Sequence, residues 1–278
     1  MNSKIKKILL KTKKQVFGDM LGNNPSLFQG EGFEFSELRE YVYGDDIRKI
    51  DWKTTAKLGK PYVRIYQEER ELNVVTAVMM GGSTYFGTVR QKSELMSELV
   101  ASIGFSAMKN GDLFSNLIFA DKLYDISRPN KKFFAIEDIL NRMDSFEVLD
   151  KKSDHRLFSD VIFKRLKKKS FLFVISDFVG DVDLTLLSKK HDIVAIIIRD
   201  KFEENPKELG YLRVMDMESS QVFEGNIGYK ELETYTKALA ENDTKLHAHF
   251  KKNSIRFTKI YTDEDPFLKL ARLFGGRR

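Results

Sequence analysis

Two short runs place oxygen-bearing side chains where chemistry could occur. Gly81-Gly82-Ser83-Thr84 follows the apolar stretch Asn73–Met80, and Ser176-Asp177 closes the apolar stretch Phe171–Ile175. In open α/β sheets ligands lie at the carboxyl ends of the strands, so both runs stand where a phosphate or a metal would be held. The glycine run lacks the Gly-Lys-Ser/Thr ending of a phosphate-binding loop, and Gly81 to Gly87 misses the Gly-x-Gly-x-x-Gly spacing. Nucleotide binding is therefore not expected. The four histidines are His155, His191, His247 and His249. His247 and His249 are two apart on a helical pattern and point to different faces, so they make no zinc pair. Gly-x-Ser-x-Gly is absent, and so is cysteine, which removes thiol nucleophiles, disulfides and Cys-ligated metals. Adjacent acids (Asp45-Asp46, Glu203-Glu204, Asp263-Glu264-Asp265) read as solvated or salt-bridged groups. No catalytic constellation emerges, and the expectation is a protein that is not an enzyme.

A third run is denser in charge. Gly44-Asp45-Asp46-Ile47-Arg48-Lys49-Ile50-Asp51-Trp52 sets acids, bases and the only Trp beside Glu37-Leu38-Arg39-Glu40-Tyr41. Aspartates before helical turns cap them, and acids alternating with bases favour ion pairs. The expectation is a structural clamp in which Arg39, Asp45, Asp46, Arg48 and Asp51 pin residues 30–70 against the rest of the chain, with Trp52 largely buried. The competing reading is a surface for a partner.

The elements that must position these runs follow from periodicity. Residues 1–18 carry Lys4, Lys6, Lys7, Lys11, Lys13 and Lys14 with no acid, so this segment holds the excess that gives the chain its net charge of +6. Ile5, Ile8, Leu9, Val16 and Met20 recur near helical spacing, so the lysines decorate the outside of a docked amphipathic helix. The spacing then predicts strands over 73–80, 113–119, 123–126, 171–176, 193–198 (as a central strand), 211–215 and 255–260. Helices are predicted over 94–109, 132–143, 155–168, 184–190, 229–252 and 266–274, with Leu232, Tyr235, Leu239, Leu246 and Phe250 facing inward on the longest. Apolar strands separated by amphipathic helices make a mostly parallel sheet covered on both faces. The division drawn is residues 1–72, a basic helix and charged segment packed on the core, and residues 73–278, the α/β domain. No apolar run approaches the ~18 residues of a spanning helix, and no secretory signal is read at the start.

The motifs Gly30-Glu31-Gly32-Phe33-Glu34-Phe35, Leu38-Arg39-Glu40-Tyr41, Gly44-Asp45-Asp46-x-Arg48-x-Ile50-Asp51-Trp52, Ala56-Lys57 and Glu69-Arg70-Glu71 resemble bacterial domain-of-unknown-function family 58. Phe86-Gly87, Lys92, Ser176-Asp177-Phe178, His191-Asp192-Ile193-Val194-Ala195 and Asp216-Met217-Glu218 extend the likeness over nearly the whole chain. The resemblance implies a von Willebrand factor A-like, Rossmann-like α/β fold with an N-terminal elaboration. It also implies an adaptor or assembly factor working with a MoxR-type AAA+ ATPase on a client protein; with no cysteine and no catalytic constellation, the expectation is a cytoplasmic, non-enzymatic protein. In that fold a metal site is built from Asp-x-Ser-x-Ser, a later Thr and a further Asp. Here the matching positions are Met79, Gly81, Ser83, Ser153 and Asp177, so the site is degenerate and no cofactor is expected beyond weak Mg²⁺ at most. The alternatives are an anionic-surface binder (lipid or nucleic acid) through the basic helix, and a metal-dependent hydrolase at the strand ends. Specific nucleic-acid recognition and peripheral membrane contact are not expected.

Overall fold

The computed structural model describes residues 3–18, 37–65, 71–207, 210–218 and 220–275. Met20, the motif at residues 30–35 and Glu69-Arg70 lie outside the described residues. The chain divides into two compact units, residues 29–71 and the remainder from 1–28 and 72–278.

The larger unit opens with α1 (Ser3–Gly18). It continues through β3 (Asn73–Met79), α3 (Lys92–Lys109), β4 (Leu113–Phe119), β5 (Leu123–Ile126), α4 (Phe134–Asp144), α5 (His155–Arg165) and β6 (Phe171–Ser176). The series ends with α6 (Thr185–Lys190), β7 (Asp192–Arg199), α7 (Lys201–Glu204), β8 (Gly210–Met215), β9 (Val222–Ile227), α8 (Tyr229–Lys252), β10 (Arg256–Tyr261) and α9 (Pro266–Gly275). Six strands form one sheet in the order β10-β7-β6-β3-β4-β5, parallel except for β5. Counted in chain order within the sheet, this is the doubly wound 3-2-1-4-5-6 arrangement, whose switch point lies between its first and fourth strands, β3 and β6. The expected α/β architecture, a mostly parallel sheet with helices on both faces, holds. β7 is one strand in from the edge, so the central pair is β3 and β6 rather than the predicted stretch 193–198.

Strand alternation divides the core into two layers. Val74 and Val78 of β3 join the layer under α1, α3, α4 and α9, whereas Val75, Ala77 and Met79 join the layer under α5, α6 and α8. α3 is buried on nearly all sides because α1 covers its outer face, through Ile5, Ile8 and Val16. Lys11 pairs with Glu98 at 3.0 Å, and Lys109 Nζ donates to the Val16 carbonyl at 2.8 Å. α1 therefore belongs with the sheet, not with residues 29–71 as the division at residue 72 had it.

Residues 211–215 do not extend the sheet; β8 pairs antiparallel with β9, an unpredicted strand, as a separate ribbon. The first part of α8 is also less buried than its pattern suggests. Leu239, Leu246 and Phe250 are buried, but Leu232 is half-buried and Tyr235 is exposed.

In the smaller unit, β1 (Glu37–Glu40) pairs antiparallel with β2 (Tyr62–Ile65) around a 3-10 turn (Ile47–Lys49) and α2 (Trp52–Leu58). Gly44 (φ +105°) and Gly59 (φ +71°) take left-handed conformations, the latter ending α2.

Candidate functional site

The strand ends at the switch point bring together the two runs singled out in the sequence. Asp177 follows β6 and is nearly fully buried. Burial works to raise its pKa. The Lys92 ammonium, the Ser83 hydroxyl beside it, His155 and Arg199 outweigh that and hold the carboxyl below its ordinary value. Phe178 adopts φ +51°, turning the chain straight after Asp177, and its N–H donates to Ser176 Oγ at 3.0 Å. Ser176 Oγ also lies 2.9 Å from His155 Nε2. This Ser–His pair is no nucleophile dyad, because the serine has no exposed surface and Phe178 stacks on the imidazole. Burial pushes the His155 pKa down.

The remaining metal-site positions do not offer a coordination sphere. Met79 is buried in the apolar layer with Phe119 and Phe158. A Cβ on Gly81 would stand 2.6 Å from Ser153 Oγ and 3.1 Å from the Lys151 carbonyl. A Cβ on Gly82 would stand 2.1 Å from the Met217 carbonyl oxygen in the β8–β9 turn. Gly82 N–H donates to the Lys151 carbonyl at 2.8 Å, and Asp150 N–H donates to that of Met217 at 3.1 Å. Backbone from residues 150–153 and 216–218 thus fills the space over the glycine pair. Ser83 Oγ and Ser153 Oγ are both buried with no partner within hydrogen-bond distance, so two neutral oxygens are left over. Hard divalent cations such as Mg²⁺ are usually anchored by carboxylates in near-octahedral sites, and a thioether suits them poorly. Asp177, Ser83 and Ser153 do not fit such an ion, and among the described residues no group of three or more His, Cys, Asp or Glu could hold one.

Four further charged residues, none among the site candidates drawn from the sequence, gather here. Lys92 is the first residue of α3, and its ammonium reaches Glu203 of α7 at 2.5 Å and Asp177 at 3.6 Å. A lysine at the positive end of a helix is poorly placed for the dipole, and that was the available signal that its side chain is needed elsewhere. Arg199, with no exposed surface at the end of a strand whose other buried residues are all apolar, donates to the Asp177 carbonyl at 2.9 Å and to Asp243 at 2.6 Å. Glu218, within the β8–β9 turn, has a raised pKa from burial and from the charges of Asp177 and Asp216.

In the smaller unit the clustered charges close on one another. Arg39 pairs with Asp45 at 2.6 Å, and Asp45 also accepts from Val42 N–H. Asp46 caps the 3-10 turn through Arg48 N–H and pairs with the Arg48 side chain at 3.1 Å. Asp51 caps α2 through the N–H groups of Lys53 and Thr54, and Glu40 pairs with Lys60 at 3.1 Å. Tyr41 N–H donates to the Pro61 carbonyl. Every partner just named lies within residues 37–65. Trp52 is 67% exposed, which corrects the expectation of a buried indole: it opens α2 as a surface residue, beside the Asp51 cap.

The basic helix presents two sets of lysines. Lys4 and Lys11 pair with Glu94 and Glu98 of α3, while Lys6, Lys7, Lys13 and Lys14 are exposed around Leu10, itself 62% exposed.

The family profile "Protein of unknown function DUF58" matches residues 37–245. The chain belongs to this family. It is similar to the uncharacterized proteins Mb1516 of Mycobacterium bovis and Rv1480 of Mycobacterium tuberculosis, each 24% identical over 278 residues, spanning 97% of this chain and 87% of theirs. Among solved structures, BatB from Bacteroides thetaiotaomicron overlaps with a TM-score of 0.48 at 8% identity, over 74% of this chain and 98% of that one. The SpRpn10 VWA domain overlaps with a TM-score of 0.38 at 9% identity, over 75% and 96%. Among the described residues, no helix is long and apolar enough to cross a membrane.

Proposed function

We propose that this DUF58 protein is a non-enzymatic adaptor that works in the cytoplasm with a MoxR-type AAA+ ATPase, contacting it through the charged segment at residues 39–52 rather than through a bridging metal. The observation that carries the reading is the exposure of Trp52, together with fully exposed Tyr43 and an Arg48 side chain that is 90% exposed. Trp, Tyr and Arg are the residues that most often dominate protein–protein binding energy. An ion-pair scaffold whose named partners lie within residues 37–65, with these side chains exposed, has the form of a recognition surface. The MoxR-type partner itself is what the family resemblance implies. Poor fit to a hard cation at the strand ends supports contact without a metal, and the buried Ser176–His155 pair gives no support to the hydrolase alternative.

The test is co-purification from the native cell under ATP-trapping conditions, with the full chain and with Trp52→Ala. A AAA+ ATPase recovered with the unmodified chain and lost with the variant is expected. Failure to recover one, or equal recovery with Trp52→Ala at unchanged stability, would sink the reading. A second reading, anionic-surface binding, is favoured by the four exposed lysines around Leu10, a pattern suited to an interfacial helix.

A further inference from the structure

Lys92 has no exposed surface, and a buried ammonium is tolerated only when its charge is matched. Two carboxylates from two elements match it. Asp177 comes from the end of β6 and Glu203 from α7 after β7. Glu203 is itself fixed, because its second oxygen accepts the Asp200 N–H at 2.7 Å and closes a capping box on α7. The Asp200 carboxylate accepts from Thr88 N–H at 2.8 Å and from the Thr262 hydroxyl at 2.5 Å. The loop leading to Lys92 is therefore laced to the helix that carries Glu203.

We propose that the Lys92 ammonium is the resident cation of this strand-end site, a covalently attached single charge in place of a divalent metal, with Glu203 closing it from within the chain. Three observations converge on this. Met79 and Gly81 stand where the motif would have its first carboxylate and first hydroxyl. The ammonium lies between the one surviving motif carboxylate and a second carboxylate. Finally, 150–153 and 216–218 fill the space above the glycines. The chemical consequence differs from that of a metal. The ammonium donates to Glu203 at 2.5 Å, pairs with Asp177 by charge at 3.6 Å, and has no open coordination position for a carboxylate from another protein. Contact with this face thus needs no divalent ion and is not released by a chelator. The inference rests on the degenerate-site part of the proposed function and not on the identity of the partner.

Thermal unfolding of the full chain with MnCl₂ as probe tests it. The unmodified chain is expected to show no saturating shift into the millimolar range. Lys92→Met leaves Asp177 and Glu203 without their cation, so Mn²⁺ is expected to raise its Tm by about 5 °C at saturation. Adding Asp177→Asn should abolish that response. If Lys92→Met alone is too unstable to purify, the Lys92→Met/Asp177→Asn double variant is compared with Asp177→Asn, where losing the ammonium should matter much less. Three results overturn the proposal: a saturating Mn²⁺ response in the unmodified chain that Asp177→Asn removes, a folded Lys92→Met chain indifferent to Mn²⁺, or a double variant that does not fold while Asp177→Asn does. Loss of the ATPase with Trp52→Ala moves none of these readouts, so the two proposals fail separately.

Discussion

The Met217 carbonyl oxygen stands where a side chain on Gly82 would begin, 2.1 Å from the Cβ position. Gly82 is thus required by the approach of the β8–β9 turn to the end of β3. Gly82→Ala should force that backbone away and cost about 1–3 kcal/mol, as overpacking typically does. Gly81→Ala meets the movable Ser153 hydroxyl first and should cost less. Urea unfolding of the two variants checks the order.

Acid titration should separate the two carboxyls at this site. The folded-state pKa of Asp177 is held below its ordinary 3.8, so its stabilisation is complete above that value and is lost as pH falls through the folded pKa. Glu218 has the opposite sign. Its folded-state pKa is raised above 4.5, so stability falls as pH rises from 4.5 through the folded value. At pH 7, Asp177→Asn is expected to lower the Tm and Glu218→Gln to raise it. Melting curves between pH 3 and 8 read both.

The aspartates of the charged segment should not be equivalent. Asp51 is buried and caps α2, so Asp51→Ala should cost about 1 kcal/mol. Asp46 pairs with Arg48 at the surface, where ion pairs contribute little. Asp46→Ala should leave the melting temperature nearly unchanged.

Charge reversal is the right probe of the basic helix. Deleting residues 1–14 would strip the cover from α3, and Ile8→Ala alone should cost roughly 2–5 kcal/mol because Ile8 is core. Lys6→Glu, Lys7→Glu, Lys13→Glu and Lys14→Glu together should leave the fold intact. If the helix binds anionic surfaces, that variant loses retention on acidic vesicles in a sedimentation assay; unchanged retention removes the reading.

Much of this architecture was legible because periodicity reports burial directly. β4, β5, β6 and α8 were bounded as observed, their apolar residues following the alternation or the 3.6-residue stripe that packing requires. The β8–β9 ribbon was not legible as a separate unit, because its strands pair with each other and carry exposed residues such as Tyr211, Met215 and Val222. Ser83 and Asp177 were legible as neighbours because strand-end positions follow from topology. Lys92 and Glu203 were not, since nothing local ties residues 111 positions apart. Trp52 misled because a large aromatic ordinarily signals core, whereas here it begins a short surface helix.

Gln15 of the first helix donates to Asp265, 250 residues later, at 2.8 Å. During synthesis α1 leaves the ribosome long before α3, and Asp265 emerges only with the last helix. The apolar stripe of Ile5, Ile8 and Val16 therefore waits uncovered while the segment at 29–71 can already close its own local contacts. Bringing the two ends together costs only a logarithm of the intervening length in closure entropy, but such distant contacts slow folding. The nascent chain would then carry this apolar, lysine-flanked stripe until α3 emerges to cover it, while the Gln15–Asp265 contact forms only once α9 has been made.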